Sequence, residues 1–292
     1  YLNWEILKLA CLYHDLGKMN TKFQNKIMKI LGYKLLKDNL EHLDEIHHSF
    51  LSPAFLPKNK LEQKFNKVEL KVLYQSIYRH HDKKDMPSFE DMKTIIEEDI
   101  AQYIDRFNIR DYDLLKELDI SEGLNYKYRR EVKDYIIPRT DSPDAFYSYV
   151  ITKGLLNKID YAASSYVGDK RLSVEVENEN LKEKVNAFFI NNRFSKNDLQ
   201  IYMENNEDKN NIIIASTGMG KTEASLLWIG NNKGFFTLPL RVSINAIYDR
   251  VKEETIGFEN TGLLHSDTYS EYLKRSNDNS FDDYYYHQTQ QM

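Results

Sequence analysis

The sequence predicts two domains of different fold class: an all-helical one, followed by the beginning of an α/β one. Three observations predict this division. In roughly the first 165 residues, apolar side chains recur at the three- and four-residue spacing of helices. After Asn211, short apolar runs alternate with helical stretches, which is typical of a parallel α/β sheet. The length of 292 residues suits two domains better than one.

The composition limits the class of protein. Hydrophobic residues make up 41% of the chain, which is enough for packed cores and argues against disorder. The net charge of −5 argues against a uniformly basic nucleic-acid-binding surface. The single cysteine, Cys11, excludes disulfides within the chain and cysteine-rich zinc sites, so we expect a cytoplasmic protein. No apolar run reaches the roughly 18 residues of a membrane span, so no membrane partner is expected.

The helical part opens with an apolar run at 7–12, which predicts the buried side of a helix. His14 and Asp15 follow at the end of this helix, so they offer an imidazole nitrogen and a carboxylate to one point in space. The two oxygens of Asp15 could bridge two cations while His14 holds one of them. Gly17 is expected to let the chain turn away.

Adjacent histidines recur twice in the helical part. His47 and His48 open a predicted helix, His80 and His81 end another, and Asp160 lies in a later one. Taken alone, each histidine is more often a surface or capping residue, but the set together favours a metal site. Imidazole suits Fe, Ni, Zn, Co or Mn better than Ca. Two cations about 3.5–4 Å apart could bind both an attacking hydroxide and a phosphate oxygen, so the pattern predicts a two-metal centre.

A phosphate-binding loop is predicted at 215–222, where the sequence is Ala-Ser-Thr-Gly-Met-Gly-Lys-Thr. It lies between a predicted strand at 212–215 and a predicted helix at 223–229, which is the context that this motif needs. A second strand is predicted at 234–238. The alternative is a Gly-Lys-Thr turn that binds nothing. Backbone N–H groups of the loop would surround the phosphates. Lys221 would reach the β/γ-phosphates, and the hydroxyl of Thr222 would hold Mg²⁺. The predicted nucleotide-binding residues are Ser216, Thr217, Gly218, Met219, Gly220, Lys221 and Thr222.

The order of these motifs resembles the HD superfamily of metal-dependent phosphohydrolases: His-Asp, His-Ser-x-x-Ser, His-His, then a late Asp in a helix. With Thr-Gly-Met-Gly-Lys-Thr-Glu-Ala and Leu-Pro-Leu-Arg following, it looks like the CRISPR-associated nuclease-helicase of type I systems. The resemblance implies a multidomain protein, with an all-α HD-type domain followed by the beginning of an α/β RecA-like (P-loop) helicase domain. We expect the HD domain at 1–167, linking helices at 168–210 and the first part of the helicase lobe at 211–292.

The resemblance also implies a role for each matched residue of the HD part. Asp15 would bridge a pair of divalent transition metals, which could be Mn, Ni, Co or Fe. Lys18 would assist phosphate binding or catalysis. The remaining ligands would be His14 and Asp160 on one metal, and His48, His80 and His81 on the other.

In the helicase part, the resemblance implies that the loop binds ATP with Mg²⁺. Gln200 would read the adenine, and Arg241, in Pro-Leu-Arg, would touch the DNA backbone. Two family features are missing from the sequence: one more metal-binding histidine upstream of the His-Asp pair, and the helicase Asp-Glu box. We therefore expect a piece of a longer protein whose first metal is short of one ligand.

The function that the resemblance implies is a hydrolase of antiviral defence. Its HD domain would cleave single-stranded DNA, coupled to ATP-driven unwinding. The implied partners are the DNA strand exposed in an R-loop and the CRISPR guide-RNA surveillance complex, in which base pairing reads the sequence. Two alternatives stay open: an HD-type nucleotide phosphohydrolase, and a DNA translocase with a structural, inactive HD domain.

Overall fold

The structure, a computed structural model, describes residues 1–81, 86–106, 118–132, 143–164, 166–167, 170–171 and 179–275. The chain divides after Asp160 into two compact units, Tyr1–Asp160 and Tyr161–Met292. The part of the chain expected to link the two domains begins at 168, and most of its first residues lie outside the described ranges. Within those ranges, no helix is both long enough and apolar enough to span a membrane.

Helices are the regular secondary structure of the first unit in the residues that the structure describes, and loops such as 33–47 connect them. Turns of 3₁₀-helix at Leu16–Met19, Ser52–Phe55 and Ile100–Arg106, and a π-helical turn at Ile95–Asp99, join or extend its α-helices. These are α1 (Trp4–Tyr13), α2 (Thr21–Leu31), α3 (His48–Leu51), α4 (Lys58–Lys64), α5 (Lys67–Tyr78), α6 (Phe89–Thr94), α7 (Arg129–Val132) and α8 (Pro143–Ser164), whose last residues follow the division.

Helix α5 forms the centre of this unit. Asn66 and Glu69 make a reciprocal capping box at its start, which satisfies backbone N–H groups that have no partner within the helix. Val72, Leu73 and Ile77 recur at helical spacing and are buried, as the sequence predicts. Burial of each such side chain contributes about 1.5–3 kcal/mol. Helix α1 packs against α5, so the residues that follow the two helices are held on a rigid support.

Gly17 has a different role from the predicted turn, because its φ is not positive. A Cβ atom on Gly17 would lie 2.2 Å from the carbonyl oxygen of His48 and 2.9 Å from Oγ of Ser52. The N–H of Gly17 donates a hydrogen bond to that same Oγ, at 2.9 Å. The glycine is therefore needed because the turn Leu16–Met19, which follows Asp15, lies directly against α3.

The second unit has a separate core between two of its helices, where Leu181, Val185 and Phe189 pack against Leu226 and Leu227. A two-residue strand β1 (Tyr166–Val167) pairs antiparallel with β2 (Lys170–Arg171). The helices are α9 (Leu181–Asn191), α10 (Asp198–Glu204), α11 (Lys221–Ile229), α12 (Arg241–Asp249), which a π-helical turn Arg250–Glu254 extends, and α13 (Thr268–Arg275).

The two parallel strands predicted in the α/β part are not formed, so that prediction was wrong for this chain. Residues 212–215 and 234–238 carry no strand assignment. Ile212 and Ile214 are 96% and 98% exposed. A parallel strand is stable only when neighbouring strands take its hydrogen bonds and helices cover both its faces. No segment that the structure describes pairs with either run.

Candidate metal centre

All six predicted metal ligands, together with His47, lie in one cluster inside the first unit. Their possible ligand atoms form three overlapping groups, and within each group these atoms lie within 4.8 Å of one another. Asp15 joins the first group to the second, and His48 joins the second to the third. The groups are His14, Asp15 and Asp160; Asp15, His48 and His80; and His47, His48 and His81.

Each ligand lies at or near the end of a helix, apart from Asp160. His14 is the C-terminal capping residue of α1, and Asp15 begins the turn that follows. His48 is the first residue of α3. His80 comes two residues after the last residue of α5. Asp160 is carried by the long helix α8.

Hydrogen bonds from Nδ1 orient the imidazole rings. Nδ1 of His14 lies 2.9 Å from the carbonyl oxygen of Cys11, and Nδ1 of His80 lies 2.6 Å from that of Ile77. In both cases the acceptor is the carbonyl three residues earlier, so Nδ1 carries the proton. In the neutral ring Nε2 then keeps its lone pair, and this is the tautomer that binds a metal through Nε2. For His14, metal binding would replace the proton that Nε2 shares with Asp160.

The two carboxylate oxygens of Asp15 face different partners. Oδ1 lies 3.1 Å from Nε2 of His48. Oδ2 lies 3.6 Å from Nε2 of His14 and 2.6 Å from Nζ of Lys18. The same nitrogen of His14 lies 3.4 Å from Oδ1 of Asp160. Asp15 therefore has one oxygen directed towards each side of the cluster, which is the arrangement that a bridging carboxylate needs.

Three polar atoms of the cluster are buried without a hydrogen bond from any described residue: Oδ1 of Asp15, Nε2 of His48 and Nε2 of His80. A buried polar atom without a partner costs about 1–3 kcal/mol. All three atoms belong to one of the groups whose ligand atoms lie close together. A divalent cation would satisfy all three at once, so the donor set fits a metal ion.

The carboxylates of the cluster are ionised at neutral pH. Burial alone would raise the pKa of Asp15, but His48, His14 and Lys18 together hold it well below its usual range. The hydrogen bond with His14 is the main reason that the pKa of Asp160 is lowered, against the opposing effect of burial. Both side chains can therefore offer negative charge to a cation.

The imidazoles differ in protonation. Burial lowers the pKa of His80 to about 3 and that of His81 to about 4, so both rings are neutral at pH 7, as a metal ligand must be. Burial would also lower the pKa of His14, but its bond to Asp160 and the charge of Asp15 raise it above its ordinary value.

His47 is the one member of the cluster that the sequence analysis does not predict as a metal ligand. Its ring lies 4.2 Å from that of His48 and 4.7 Å from that of His81, measured between centroids. Its Nδ1 lies 2.9 Å from Oγ of Ser49, at the start of α3. The available signal was the repetition of adjacent histidine pairs, at 47–48 and 80–81.

The predicted phosphate loop is a turn that leads into α11. Gly218 and Gly220 have positive φ angles of 85° and 70°, which favour glycine. Nζ of Lys221 lies 2.9 Å from the carbonyl oxygen of Ala215 and 2.8 Å from that of Ser216, so its side chain folds back over the loop. The other predicted loop residues are Thr217 and Met219, which are exposed, and Thr222, which is half-buried.

The structure brings Gln200 to this loop. Gln200 is buried in α10, where it completes a capping box with Asn197, and its Nε2 donates a hydrogen bond to the carbonyl oxygen of Gly220 at 3.3 Å. Arg241, the first residue of α12, is more than half exposed and forms an ion pair with Asp267. The described contacts therefore connect Gln200, but not Arg241, to the loop.

Comparison with known proteins gives relatives for most of the chain. Residues 2–109 match the HD domain family, a range that contains every residue of the metal cluster except Asp160. Over 92% of its length, the chain is 26% identical to the CRISPR-associated nuclease/helicase Cas3 of Methanothermobacter thermautotrophicus. Over 88 residues, or 28% of the chain, it is 34% identical to a protein described as a CRISPR-associated nuclease/helicase Cas3 from Methanocaldococcus jannaschii.

The chain is shorter than both relatives. It spans 37% of the length of the Methanothermobacter protein, and the Methanocaldococcus match covers 12% of that protein. No solved structure matches the chain.

Proposed function

The chain belongs to the family of CRISPR-associated nuclease/helicases, and from this premise we propose a function for its first unit. We propose that this unit is an HD nuclease domain, which cleaves single-stranded DNA with two divalent cations. The observation that carries the proposal is the group of three buried atoms without hydrogen-bond partners, on Asp15, His48 and His80. Ligand atoms that face one another without a hydrogen bond between them are typical of a metal-binding site.

The proposed ligands follow the three groups. His14, Asp15 and Asp160 would hold one cation, and Asp15 would be shared with the second. Because imidazoles dominate the set, we infer Mn, Ni, Co or Fe rather than Ca. When bound, the two cations would activate a water molecule and neutralise charge on the phosphodiester. The second cation would be held by His48, His80 and His81, and we add His47 to this set.

Lys18 and Phe23 would complete the site around the ligands. Nζ of Lys18 is hydrogen-bonded to Asp15 at 2.6 Å, and the side chain is about one-third exposed, so it can also reach a phosphate that arrives from solvent. The ring of Phe23 packs edge-on against that of His48, with centroids 5.9 Å apart. We propose that Lys18 binds the scissile phosphate and that Phe23 restrains the His48 ring.

Cleavage of single-stranded DNA by the chain, extended by any residues that precede Tyr1 in the natural protein, tests the proposal. With Mn²⁺, Ni²⁺ or Co²⁺ we expect cutting that EDTA abolishes, and we expect Asp15→Asn to lower the rate by at least about 100-fold. Asp44→Asn, which changes an exposed carboxylate in the same unit, is the matched control.

Three outcomes would contradict this function. Undiminished cutting by the Asp15→Asn variant would remove Asp15 from the site. Release of phosphate from free nucleotides without any cutting of DNA would favour a nucleotide phosphohydrolase instead. A chain that retains no transition metal after dialysis would favour a structural, inactive HD domain.

We also propose that residues 216–222 bind the phosphates of ATP with Mg²⁺, and that residues 211–292 begin a RecA-like helicase lobe. The positive φ angles of Gly218 and Gly220 and the position of Lys221 at the start of α11 support this. The contact between Gln200 and the loop supports a role for Gln200 beside the nucleotide. In the complete protein, Lys221→Ala should abolish DNA-stimulated ATP hydrolysis and leave ATP-independent cutting by the HD domain intact.

For the complete protein we propose a place in CRISPR defence, because both relatives carry that name. Its DNA strand would come from an R-loop opened by a guide-RNA complex, in which base pairing supplies sequence recognition. A purified guide-RNA complex should recruit the complete protein to matched target DNA, and equal recruitment to unmatched DNA would contradict this partner.

A further inference from the structure

One stretch of the first unit has a charge opposite to that of the whole chain. Residues 16–37 contain six lysines and no aspartate or glutamate. The chain as a whole has 45 acidic and 40 basic residues, so six lysines in 22 residues without an acid give this stretch a charge opposite to the net charge. This stretch begins directly after Asp15 of the metal cluster and includes α2.

Helix α2 carries two parallel stripes on its outward side. Lys22, Lys26 and Lys29 are spaced four and three residues apart, so they share one face of the helix. Phe23, Ile27 and Ile30, shifted by one residue, form a second stripe at about 100° to the first. The opposite side faces the protein, where Thr21 is buried, Asn25 bonds to Leu36, and Gln24 bonds to Lys18.

The apolar stripe is open to solvent at its outer end. Ile27 is 42% exposed and Ile30 is 80% exposed. Tyr33, just after the helix, is also exposed. Apolar side chains and an aromatic ring beside a row of cations are the features with which proteins bind single-stranded nucleic acid, because the rings and apolar groups contact bases while lysines contact phosphates.

Three lysines at the outer end are available for phosphate. Asp38 pairs with Lys22 at 2.7 Å, and Glu45 pairs with Lys26. Lys29, Lys34 and Lys37 are exposed, and among the described residues none of them has an ion-pair partner. The uncompensated positive charge therefore lies at the end of α2 and in the segment that follows it.

The inner end of the apolar stripe reaches the metal cluster. The ring of Phe23 contacts that of His48, and Nζ of Lys18 lies 5.8 Å from the centre of the Phe23 ring. Lys18 in turn contacts Asp15. Helix α2 is about 16 Å long. Its two stripes therefore form a continuous path of that length, from the exposed lysines at its outer end to the proposed metal ligands at its inner end.

We propose that this path binds a single DNA strand and leads it to the metal cluster. We call it the lysine track; it consists of the apolar stripe Phe23, Ile27 and Ile30 and of the lysines Lys22, Lys26, Lys29, Lys34 and Lys37. This inference rests on the proposed nuclease function. The phosphates lie along the lysines, and the bases pack on the apolar stripe. Since none of these contacts reads a base edge, the track binds without sequence preference.

The test measures binding of a fluorescent oligothymidylate to the 292-residue chain in EDTA, so that cleavage does not enter the result. The triple variant Lys29→Gln, Lys34→Gln, Lys37→Gln should bind about tenfold more weakly or worse at 0.1 M salt. Each phosphate contact on a single strand contributes about 0.7 to the slope of log affinity against log salt, so this slope should fall by about 2. The variant Ile27→Ser, Ile30→Ser should weaken binding and leave the slope unchanged.

The matched control is Lys60→Gln, Lys64→Gln, Lys67→Gln, which removes the same charge from the same unit. Lys60 and Lys64 are paired with Asp119 and Glu5, so this control should bind as the unaltered chain does. An unchanged affinity and slope in the track variant, or an equal loss in the control, would overturn the inference.

A single variant serves if the triple variant folds poorly. Lys34 lies outside any helix, and Lys34→Gln should lower the slope by about 0.7. If the chain binds DNA through the track but does not cut it with Mn²⁺, Ni²⁺ or Co²⁺, the proposed track is supported and the proposed nuclease function is contradicted.

Discussion

Nε2 of His48 and Oδ1 of Asp15 face each other at 3.1 Å inside the first unit, and both atoms are buried without a hydrogen bond from any residue described. In the tautomer that binds metal, the imidazole nitrogen presents a lone pair, as the carboxylate oxygen does. Two lone pairs at this distance repel each other, and the repulsion is removed when one cation binds both atoms, or when a proton on Nε2 is shared with Oδ1. We therefore expect metal binding to stabilise the unit by replacing this proton.

The first prediction is that transition metals stabilise the chain. A ligand at 100 times its dissociation constant raises the free energy of unfolding by about 2.7 kcal/mol. Adding Mn²⁺ or Co²⁺ should therefore raise the Tm, and EDTA should reverse the rise. Asp15→Ala should lose most of this increase because it removes the shared ligand. The control Asp44→Asn should keep it, and a metal-independent Tm in the unaltered chain would contradict the prediction.

The second prediction concerns two glycines of the same unit. Gly17→Ala places a methyl group 2.2 Å from the carbonyl oxygen of His48, and that backbone atom cannot move without shifting this proposed metal ligand. We expect a loss of about 1–3 kcal/mol in the free energy of unfolding, together with weaker metal binding. Gly154→Ala is the control, because a Cβ there meets nothing within 4 Å and the residue lies inside α8. It should stabilise the chain by up to about 1 kcal/mol in urea unfolding.

Urea unfolding of the two variants also separates close packing from turn formation at Gly17. If Gly17 served only to let the chain turn, Gly17→Ala would cost no more than a few tenths of a kcal/mol, because its φ is one that alanine can adopt. Equal stability of the Gly17→Ala variant and the unaltered chain would show that α3 can move away from the turn.

The sequence could predict the metal cluster because each ligand lies in a local pattern that fixes its position on a helix. Helical spacing predicted α1 and α5, and the His-Asp and His-His pairs follow directly after these two helices. What could not be predicted is the orientation of the rings, which depends on contacts of Nδ1 with Cys11, Ile77 and Ser49. For the same reason, the sequence does not predict a role for His47.

The strands at 212–215 and 234–238 failed as predictions for a different physical cause. An apolar run such as the one containing Ile212 and Ile214 records a preference for burial, but burial of a parallel strand depends on neighbours distant in sequence. The described residues supply no such neighbours, and both side chains are almost fully exposed. The loop and α11, whose hydrogen bonds are local, do form.

The third prediction is that His47 is a metal ligand. His47→Ala should lower the affinity for Co²⁺ at the site with His48 and His81, and it should change the visible absorption of the bound Co²⁺ by removing one nitrogen donor. The affinity should fall about tenfold or more, measured by titration. The control His42→Ala replaces an exposed histidine of the same unit and should leave the spectrum unchanged.

A second substitution separates ligation from capping, since Nδ1 of His47 also contacts Ser49 at the start of α3. His47→Asn keeps a side chain that can cap a helix but has no imidazole. It should restore the stability lost in His47→Ala and not the Co²⁺ spectrum. Full recovery of the spectrum by asparagine would assign His47 a purely structural role.

The last prediction is that the metal-free chain loses stability as the pH falls from 6.5 towards 4.5. The pKa of His80 is about 3 in the folded protein and about 6.5 in the unfolded chain, so only the unfolded chain gains a proton in this window. The free energy of unfolding then falls by up to about 1.4 kcal/mol per pH unit for this residue. His14, whose folded pKa is raised, opposes this fall only in the upper part of the window, because below about pH 5.5 it is protonated in both states. In urea unfolding with EDTA, His80→Leu should reduce the slope without abolishing it, because the pKa of His81 is also lowered. A His80→Leu chain with the slope of the unaltered protein would mean that His80 takes up its proton without unfolding.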